Sequence, residues 1–256
     1  MKAKKYFGQN FLVDEAIKNK IISEIKANDK DLIIEIGPGQ GALTKLLKKN
    51  NSFLIAYEVD KDLKEQLDSL EDNKTKIIYQ DILKANIKED IKDYNYNNLF
   101  IVGNLPYYIT TPIIEHITKQ NLSFNSFVIM VQKEVADRFM AKPGTKEYGY
   151  FTVYLNYYYD VIKICNVSKT AFKPVPKVDS AVIKLVSKEK ELLDEDKFSA
   201  FLKRCFQQKR KTLKNNIAKE EWEKAKKVLE KHNLSESVRA EQINADILLE
   251  LYREIC

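Results

Sequence analysis

Short apolar runs alternate with segments of helical period through the first two-thirds of the chain. The runs at 32–36, 53–59, 76–80, 99–103 and 127–132 predict strands, and residues 42–49, 61–70, 112–118 and 133–140 between them predict helices. Apolar strands separated by helices belong to a mostly parallel sheet covered on both faces. The expected fold class is therefore α/β, a Rossmann-like doubly wound domain. Residues 148–164, rich in tyrosine, read as helix or as strand. Residues 178–186 alternate and predict a late strand, an antiparallel hairpin partner at the sheet edge.

Beyond Val186 the pattern changes. Ser187-Lys188-Glu189-Lys190-Glu191 is a charge-dense joint, after which strand signals cease. Phe198, Phe201, Leu202, Cys205, Phe206, Leu213 and Ile217 fall largely at helical spacing, and helical segments follow at 222–232 and 245–255. Two domains are expected, residues 1–186 and a small helical one at 187–256.

Hydrophobic residues make up 44% and charged residues 31% of the 256, an ordinary balance for a globular chain. The apolar stretch 127–131 is too short to span a bilayer, and no apolar segment follows the basic start Met1-Lys2-Ala3-Lys4-Lys5. Neither a membrane partner nor a secretory signal is expected. Cys165, Cys205 and Cys256 are odd in number and far apart, and His116 and His232 lack ligand-spaced partners. Free thiols in a reducing cytoplasm, and no metal site, are expected. Nothing suggests an obligate dimer, so a monomer is expected.

The net charge of +6 matters less than where it sits. Seven basic residues and no acidic one fall between Lys203 and Lys219. That exceeds a solvated helix face and predicts a polyanionic partner. Lys203, Arg204, Lys209, Arg210, Lys211 and Lys214 are the candidate contacts.

Chemistry gathers at the ends of the predicted strands. The first runs into Gly37-Pro38-Gly39-Gln40-Gly41 and then a helix, placing three of the seven glycines within five residues. Such a loop lets the backbone turn sharply and approach a ligand closely. Glu58 follows Gly37 by twenty-one residues, a spacing suited to a carboxylate that accepts from both ribose hydroxyls. Asp81, at a third strand end, is placed to bind an adenine amino group. A fourth run ends in Asn104-Leu105-Pro106-Tyr107. Asn104 and the Leu105 carbonyl offer two acceptors, Pro106 restricts the backbone on either side, and Tyr107 presents a flat face for a base. The tetrapeptide suits a planar substrate with an exocyclic amino group. The loop's Gly-x-Gly-x-Gly lacks the final spacing of the dinucleotide fingerprint, and no hydride-transfer constellation follows. S-adenosylmethionine is therefore favoured as cofactor over a dinucleotide.

With these residues in view, the chain resembles the rRNA adenine dimethyltransferase family from end to end, most closely its bacterial small-subunit branch. Gly8-Gln9-Asn10-Phe11-Leu12 resembles the family's N-terminal cofactor-gripping segment, which implies cofactor contacts from Gln9, Asn10 and Leu12. Gly37, Gly39, Gly41, Glu58, Asp81 with the adjoining Ile82, and Asn104 match the rest of the cofactor site. Asn104, Leu105, Pro106 and Tyr107 match the catalytic loop, and Gln132-Lys133-Glu134-Val135-Ala136 a further family segment. Phe172-Lys173-Pro174-Val175-Pro176-Lys177-Val178-Asp179-Ser180 is similar to the loop whose Phe helps sandwich the target adenine. Phe206–Asn215 resembles the basic helix of the small-subunit branch, while Tyr108 and Tyr150 stand where polar or basic residues are expected in relatives. The resemblance implies dimethylation of two adjacent adenines near the 3′ end of 16S rRNA in the small ribosomal subunit, with a role in its biogenesis. Other readings are a large-subunit rRNA adenine methylase, a ribosome assembly factor with secondary catalysis, and a protein glutamine methyltransferase, for which Asn-Pro-Pro-Tyr is expected instead. A dinucleotide oxidoreductase fits least.

Overall fold

The five early apolar runs become neighbouring strands of one sheet in a computed structural model that describes residues 10–189, 191 and 193–256. The first elements are β1 (Phe11–Leu12), α1 (Glu15–Ser23), β2 (Leu32–Ile36), α2 (Thr44–Leu47), β3 (Phe53–Tyr57), α3 (Lys64–Asp68), β4 (Thr75–Ile78), α4 (Ile87–Ile91), β5 (Leu99–Asn104) and α5 (Thr110–Lys119). There follow β6 (Ser126–Gln132), α6 (Lys133–Phe139), α7 (Tyr150–Tyr158), β7 (Tyr159–Val167), β8 (Phe172–Lys173), β9 (Ser180–Ser187), α8 (Glu195–Cys205), α9 (Trp222–Lys231) and α10 (Ala245–Ile255).

The sheet order is β4-β3-β2-β5-β6-β9-β7, and every pair from β4 to β6 is parallel. All five residues of β2 are buried, as a strand covered on both faces requires. β2 pairs with β3 on one side and β5 on the other, so the chain order reverses there and a crevice opens beyond the carboxyl ends of these strands. The register sets Ile36 level with both Tyr57 and Gly103. Gly37, Glu58 and Asn104 consequently leave the sheet along one rim. Gly103 is required by close approach, because a Cβ there would fall 2.9 Å from the Ile36 carbonyl oxygen.

Several expected boundaries move. β3 stops at Tyr57, so Glu58 and Val59 lie just past it, and the helix expected at 42–49 is α2 continued by a 3-10 turn at Lys48–Asn50. The ambiguous 148–164 segment is both things, α7 running directly into β7. β9 is antiparallel to β6, as expected, but not at the edge: it lies between β6 and β7. Its first four residues are all buried, whereas β7, buried only at its two ends, takes the edge.

The chain divides into two compact units. One extends to Ala136 and resumes at Ile162–Ser187; the other comprises Asp137–Val161 and Lys188–Cys256. One division falls between Ser187 and Lys188, and α7 groups with the helical unit although the expected first domain included it. There the Tyr154 hydroxyl donates to Glu195 at 2.8 Å and Tyr157 packs edge-on against Phe198 at 5.2 Å. Within that unit Asp194 caps α8 by accepting from the Lys197 N–H at 3.1 Å, and Phe198, Phe201 and Leu202 are buried along with Leu248 and Leu251 of α10.

Candidate active site

The glycine loop is held open by three left-handed residues, Gly37 (φ 70°), Gly39 (φ 56°) and Gly41 (φ 75°). The Gly37 N–H donates to the Tyr57 carbonyl at 2.9 Å, pinning the start of the loop to β3. Glu58 pins its middle: one carboxylate oxygen accepts from the Gly39 N–H at 3.0 Å and the other from the Asp60 N–H at 2.9 Å. Burial pushes the Glu58 carboxyl up, and these backbone donors draw it back. Each oxygen keeps further lone pairs for a ligand hydroxyl. Glu35, beneath the loop, is fully buried and accepts from the Thr44 hydroxyl at 2.7 Å. Burial pushes its pKa up to about 7.

Asn104 closes the other side. Its Nδ2 donates to the Asn10 carbonyl at 3.0 Å, which fixes the amide's orientation and leaves Oδ1 as an acceptor. Leu105 is 1% exposed, so its side chain belongs to the core and only its backbone serves the rim. Pro106 (φ −59°, ψ 128°) starts a 3-10 turn over Tyr107–Ile109. The Tyr107 hydroxyl meets the buried Ser180 hydroxyl at 2.6 Å, and burial raises the phenol's pKa.

One pocket brings together Asn10, Leu12, Gly37, Gly39, Glu58, Asp81, Ile82 and Asn104 through Tyr107. Asp81 also serves locally, accepting from the Leu83 N–H at 3.0 Å as the cap of a 3-10 turn. Gln9 lies outside the described residues. Two expected residues are not brought to the pocket. Gly41 is buried away from it, and a Cβ there would strike Leu70 at 2.6 Å, so this glycine serves packing of the loop. Phe172 is fully buried, in the cluster that also holds Leu12 and Val182. β8 pairs with β1, Leu12 opposite Phe172, and the alternation turns Phe172 inward and Lys173 outward.

The sequence reading missed Phe11, Val59 and Ile109, which also line the pocket. Val59 is 47% exposed, and an apolar residue directly after a strand-end carboxylate was the available signal. The Phe11 ring would lie 3.2 Å from a Cβ on Gly39, so the loop needs glycine there. Among the described residues no group of three His, Cys, Asp or Glu is placed to hold a metal ion, and no helix is long and apolar enough to cross a membrane.

The basic run departs from the single helix expected. α8 ends at Cys205, and the polar Gln207–Lys211 stretch, with no apolar residue to bury, forms turns followed by a 3-10 turn at Leu213–Asn215. Counter-charges absent from the run come from later elements. Arg204 pairs with Glu221 at 2.9 Å and Lys214 with Glu236 at 3.6 Å. The Lys209 ammonium donates to the Tyr148 carbonyl at 3.1 Å. Lys203 lies over the Tyr150 ring at 5.5 Å. Arg210 and Lys211 are exposed.

A glycine cradle, a buried strand-end carboxylate and an Asn-Leu-Pro-Tyr loop on the switch-point rim of this sheet define a Rossmann-like, S-adenosylmethionine-dependent methyltransferase. The sequence matches the ribosomal RNA adenine dimethylase family over residues 1–255, and the chain belongs to that family. A ribosomal RNA small subunit methyltransferase A from Mycoplasmopsis pulmonis is 43% identical across 100% of both chains. One from Streptococcus thermophilus is 41% identical over 94% of this chain and 88% of its own. A solved dimethyladenosine transferase from Plasmodium falciparum superposes with a TM-score of 0.76 at 26% identity, over 94% of this chain and 95% of that one.

Proposed function

We propose that this chain dimethylates the exocyclic amino groups of two adjacent adenines near the 3′ end of small-subunit (16S) rRNA, and so takes part in small-subunit biogenesis. The observation that carries the chemistry is the Asn104 amide, held by the Asn10 carbonyl with its oxygen left to accept. The substrate is supported by the small-subunit methyltransferases that this chain resembles, one of them matched along its whole length and another over 88% of its own.

The pocket's donor set fits S-adenosylmethionine. Glycine at 37 and 39 leaves room for close backbone approach, Glu58 suits two ribose hydroxyls, Asp81 suits an adenine amino group, and Val59 and Ile82 offer apolar surface to a flat ring. Asn10 and Leu12 would close the cofactor side. Bound there, S-adenosylmethionine supplies an electrophilic methyl group.

The chain's own residues do the rest. An adenine amino nitrogen is a weak nucleophile because its lone pair is delocalised into the ring. Asn104 Oδ1 and the Leu105 carbonyl accept its two N–H groups and favour a pyramidal nitrogen whose lone pair faces the methyl. Positioning of this kind supplies up to about 7–11 kcal/mol of a barrier, so no strong base is needed. The proton leaves to water once the methyl has arrived. Tyr107, tethered to Ser180, offers a ring for stacking worth about 1–3 kcal/mol. Phe172 reaches the base only by leaving its buried position, so its contribution is to hold β8 against β1. Arg210 and Lys211, with Lys203, supply phosphate contacts from the 187–256 region. The same reading has the enzyme acting as a monomer in the cytoplasm, where a ribosomal RNA substrate is found.

The test is transfer of a radiolabelled methyl group to ribosomal subunits from a strain lacking the modification. Label in small subunits and not in large ones is the expected result. Label in large subunits would transfer the substrate assignment to their RNA, and binding without label would leave an assembly factor.

A further inference from the structure

A second cavity, of about 510 Å³, opens at the sheet's other rim, and its wall carries Lys88, Lys92, Tyr94, Asn95, Tyr96 and Asn121. It is formed by α4 and two loops, one leading into β5 and the other from α5 into β6. Asn104, which lines the cofactor pocket, stands at the far end of β5. The strand's rise puts roughly 17 Å between its two ends. Both sides of the cavity are fastened. The Gln120 side-chain oxygen accepts from the Ile87 N–H at 2.7 Å, holding the start of α4 to the end of α5. Beyond the loops, the Asn125 amide donates to the Asn98 side-chain oxygen at 3.1 Å, and the Asn98 amide donates to the buried Asp31 at 2.8 Å. The Tyr94 ring is steadied edge-on by Phe53 at 5.4 Å. The recess is therefore preformed.

Its chemistry narrows the ligand. Lys88, Ile91 and Lys92 stand at i, i+3 and i+4, on one face of α4 and its cap, and both lysines are exposed. Among the described residues no carboxylate, imidazole or thiol lines the cavity, so a metal ion is excluded. The nearby acids serve elsewhere: Asp90 accepts from the Tyr57 hydroxyl at 2.8 Å, and Glu89 forms an exposed pair with Lys92. Only Ile91 and Leu122 are aliphatic, too little surface for a lipid chain. Lysines are also depleted from the cores of protein interfaces. Aromatic faces beside lysines and side-chain amides suit a nucleotide instead. Its base stacks on a ring, its phosphate meets the ammonium groups, and its base edge pairs with amides.

We propose that this recess is a nucleoside phosphate site separate from the cofactor pocket, with the phosphate at Lys88 and Lys92 and the base on the Tyr96 ring. Tyr94 supplies a rigid wall, and Asn95 and Asn121 offer donors and acceptors to the base edge. The volume lies within the range of about 300–1,000 Å³ that small-ligand sites occupy. A free nucleotide and an unstacked nucleotide of RNA share this chemistry. The site goes beyond methyl transfer and stands without it.

The experiment is calorimetry on the full chain with S-adenosylmethionine in excess, so that the cofactor pocket is not the site measured. The probes are the four ribonucleoside 5′-monophosphates, inorganic phosphate and a short unstructured RNA, each against wild type, Lys88→Gln/Lys92→Gln and Tyr96→Ala. At least one monophosphate is expected to bind more tightly than inorganic phosphate. The lysine double variant should weaken it about tenfold or more, and Tyr96→Ala about five- to a hundredfold. Both variants should keep wild-type melting temperature and cofactor affinity. Tighter binding of the RNA than of any monophosphate, lost in the same variants, would assign the site to an RNA nucleotide; the reverse order would assign it to a free one. Either order supports the proposal. No binding of monophosphate or RNA, binding no tighter than that of inorganic phosphate, or binding that either variant leaves unchanged would overturn it. A chain that fails to bind S-adenosylmethionine would sink the proposed reaction alone, because the lysine and Tyr96 variants still judge this site.

Discussion

The Asn104 side-chain amide donates to the Asn10 backbone carbonyl at 3.0 Å, joining the end of β5 to a segment ninety-four residues earlier. The bond occupies the amide's donor side and so commits its oxygen to accepting. A residue that a local reading takes for a turn former is thereby oriented for one task. Asn104→Ala removes acceptor and tether together and should lower turnover about 10²–10³-fold, the scale for losing one preorganised polar group, while S-adenosylmethionine still binds. Single-turnover kinetics beside calorimetry check this; undiminished turnover would remove Asn104 from the mechanism.

Gly39 and Gly41 share left-handed backbone yet should fail differently. Gly41→Ala drives a Cβ to 2.6 Å from Leu70, away from the pocket, and should cost about 1–3 kcal/mol of stability with cofactor affinity near wild type. Gly39→Ala places its Cβ 3.2 Å from the Phe11 ring on the pocket wall and should weaken cofactor binding most. Chemical denaturation and calorimetry on both variants separate the two effects. The reverse pattern would exchange their roles.

Glu35 predicts a pH dependence of stability. Its pKa rises from the ordinary 4.5 to about 7 because it is buried, so between those values the folded chain holds a proton that the unfolded chain has released. The group's contribution to stability therefore falls as pH rises through this window and levels off above it. Glu35→Gln abolishes that contribution. Relative to wild type, the variant should gain stability from pH 4.5 to 7, by up to about 3 kcal/mol. Denaturation across that range provides the measurement; parallel curves would show that Glu35 ionises freely.

The basic run should divide by function. Arg210→Gln with Lys211→Gln should weaken RNA binding and flatten its salt dependence by about 0.7 for each phosphate no longer neutralised, without changing stability. Arg204→Gln instead removes the partner of a part-buried Glu221, and Lys209→Met removes the cation from the Tyr148 carbonyl. Those two should lower thermal stability more than they change the salt slope. Binding and melting measured side by side would contradict the division if all four substitutions acted alike.

The pocket was legible in the sequence where function sits at strand ends. Gly37, Glu58 and Asn104 each follow an apolar run, and parallel register carries such residues to one rim without further information. What stayed hidden depends on pairings between distant segments. Phe172 is turned inward by the pairing of β8 with β1, whose partner residue Leu12 is 160 positions earlier. The run from Lys203 to Lys219 looks unopposed only because Glu221 and Glu236 lie beyond it. α7 groups with the helical unit because its aromatic residues meet α8, and no composition break marks its start.

The most direct measurement is mass spectrometry of nuclease-digested rRNA after small subunits lacking the modification are incubated with the chain and S-adenosylmethionine. Two dimethylated adenosines in a fragment from the 3′ end of the small-subunit RNA are the predicted result. Small-subunit RNA that gains no methyl group, although the chain binds both the subunit and the cofactor, would contradict the proposed function.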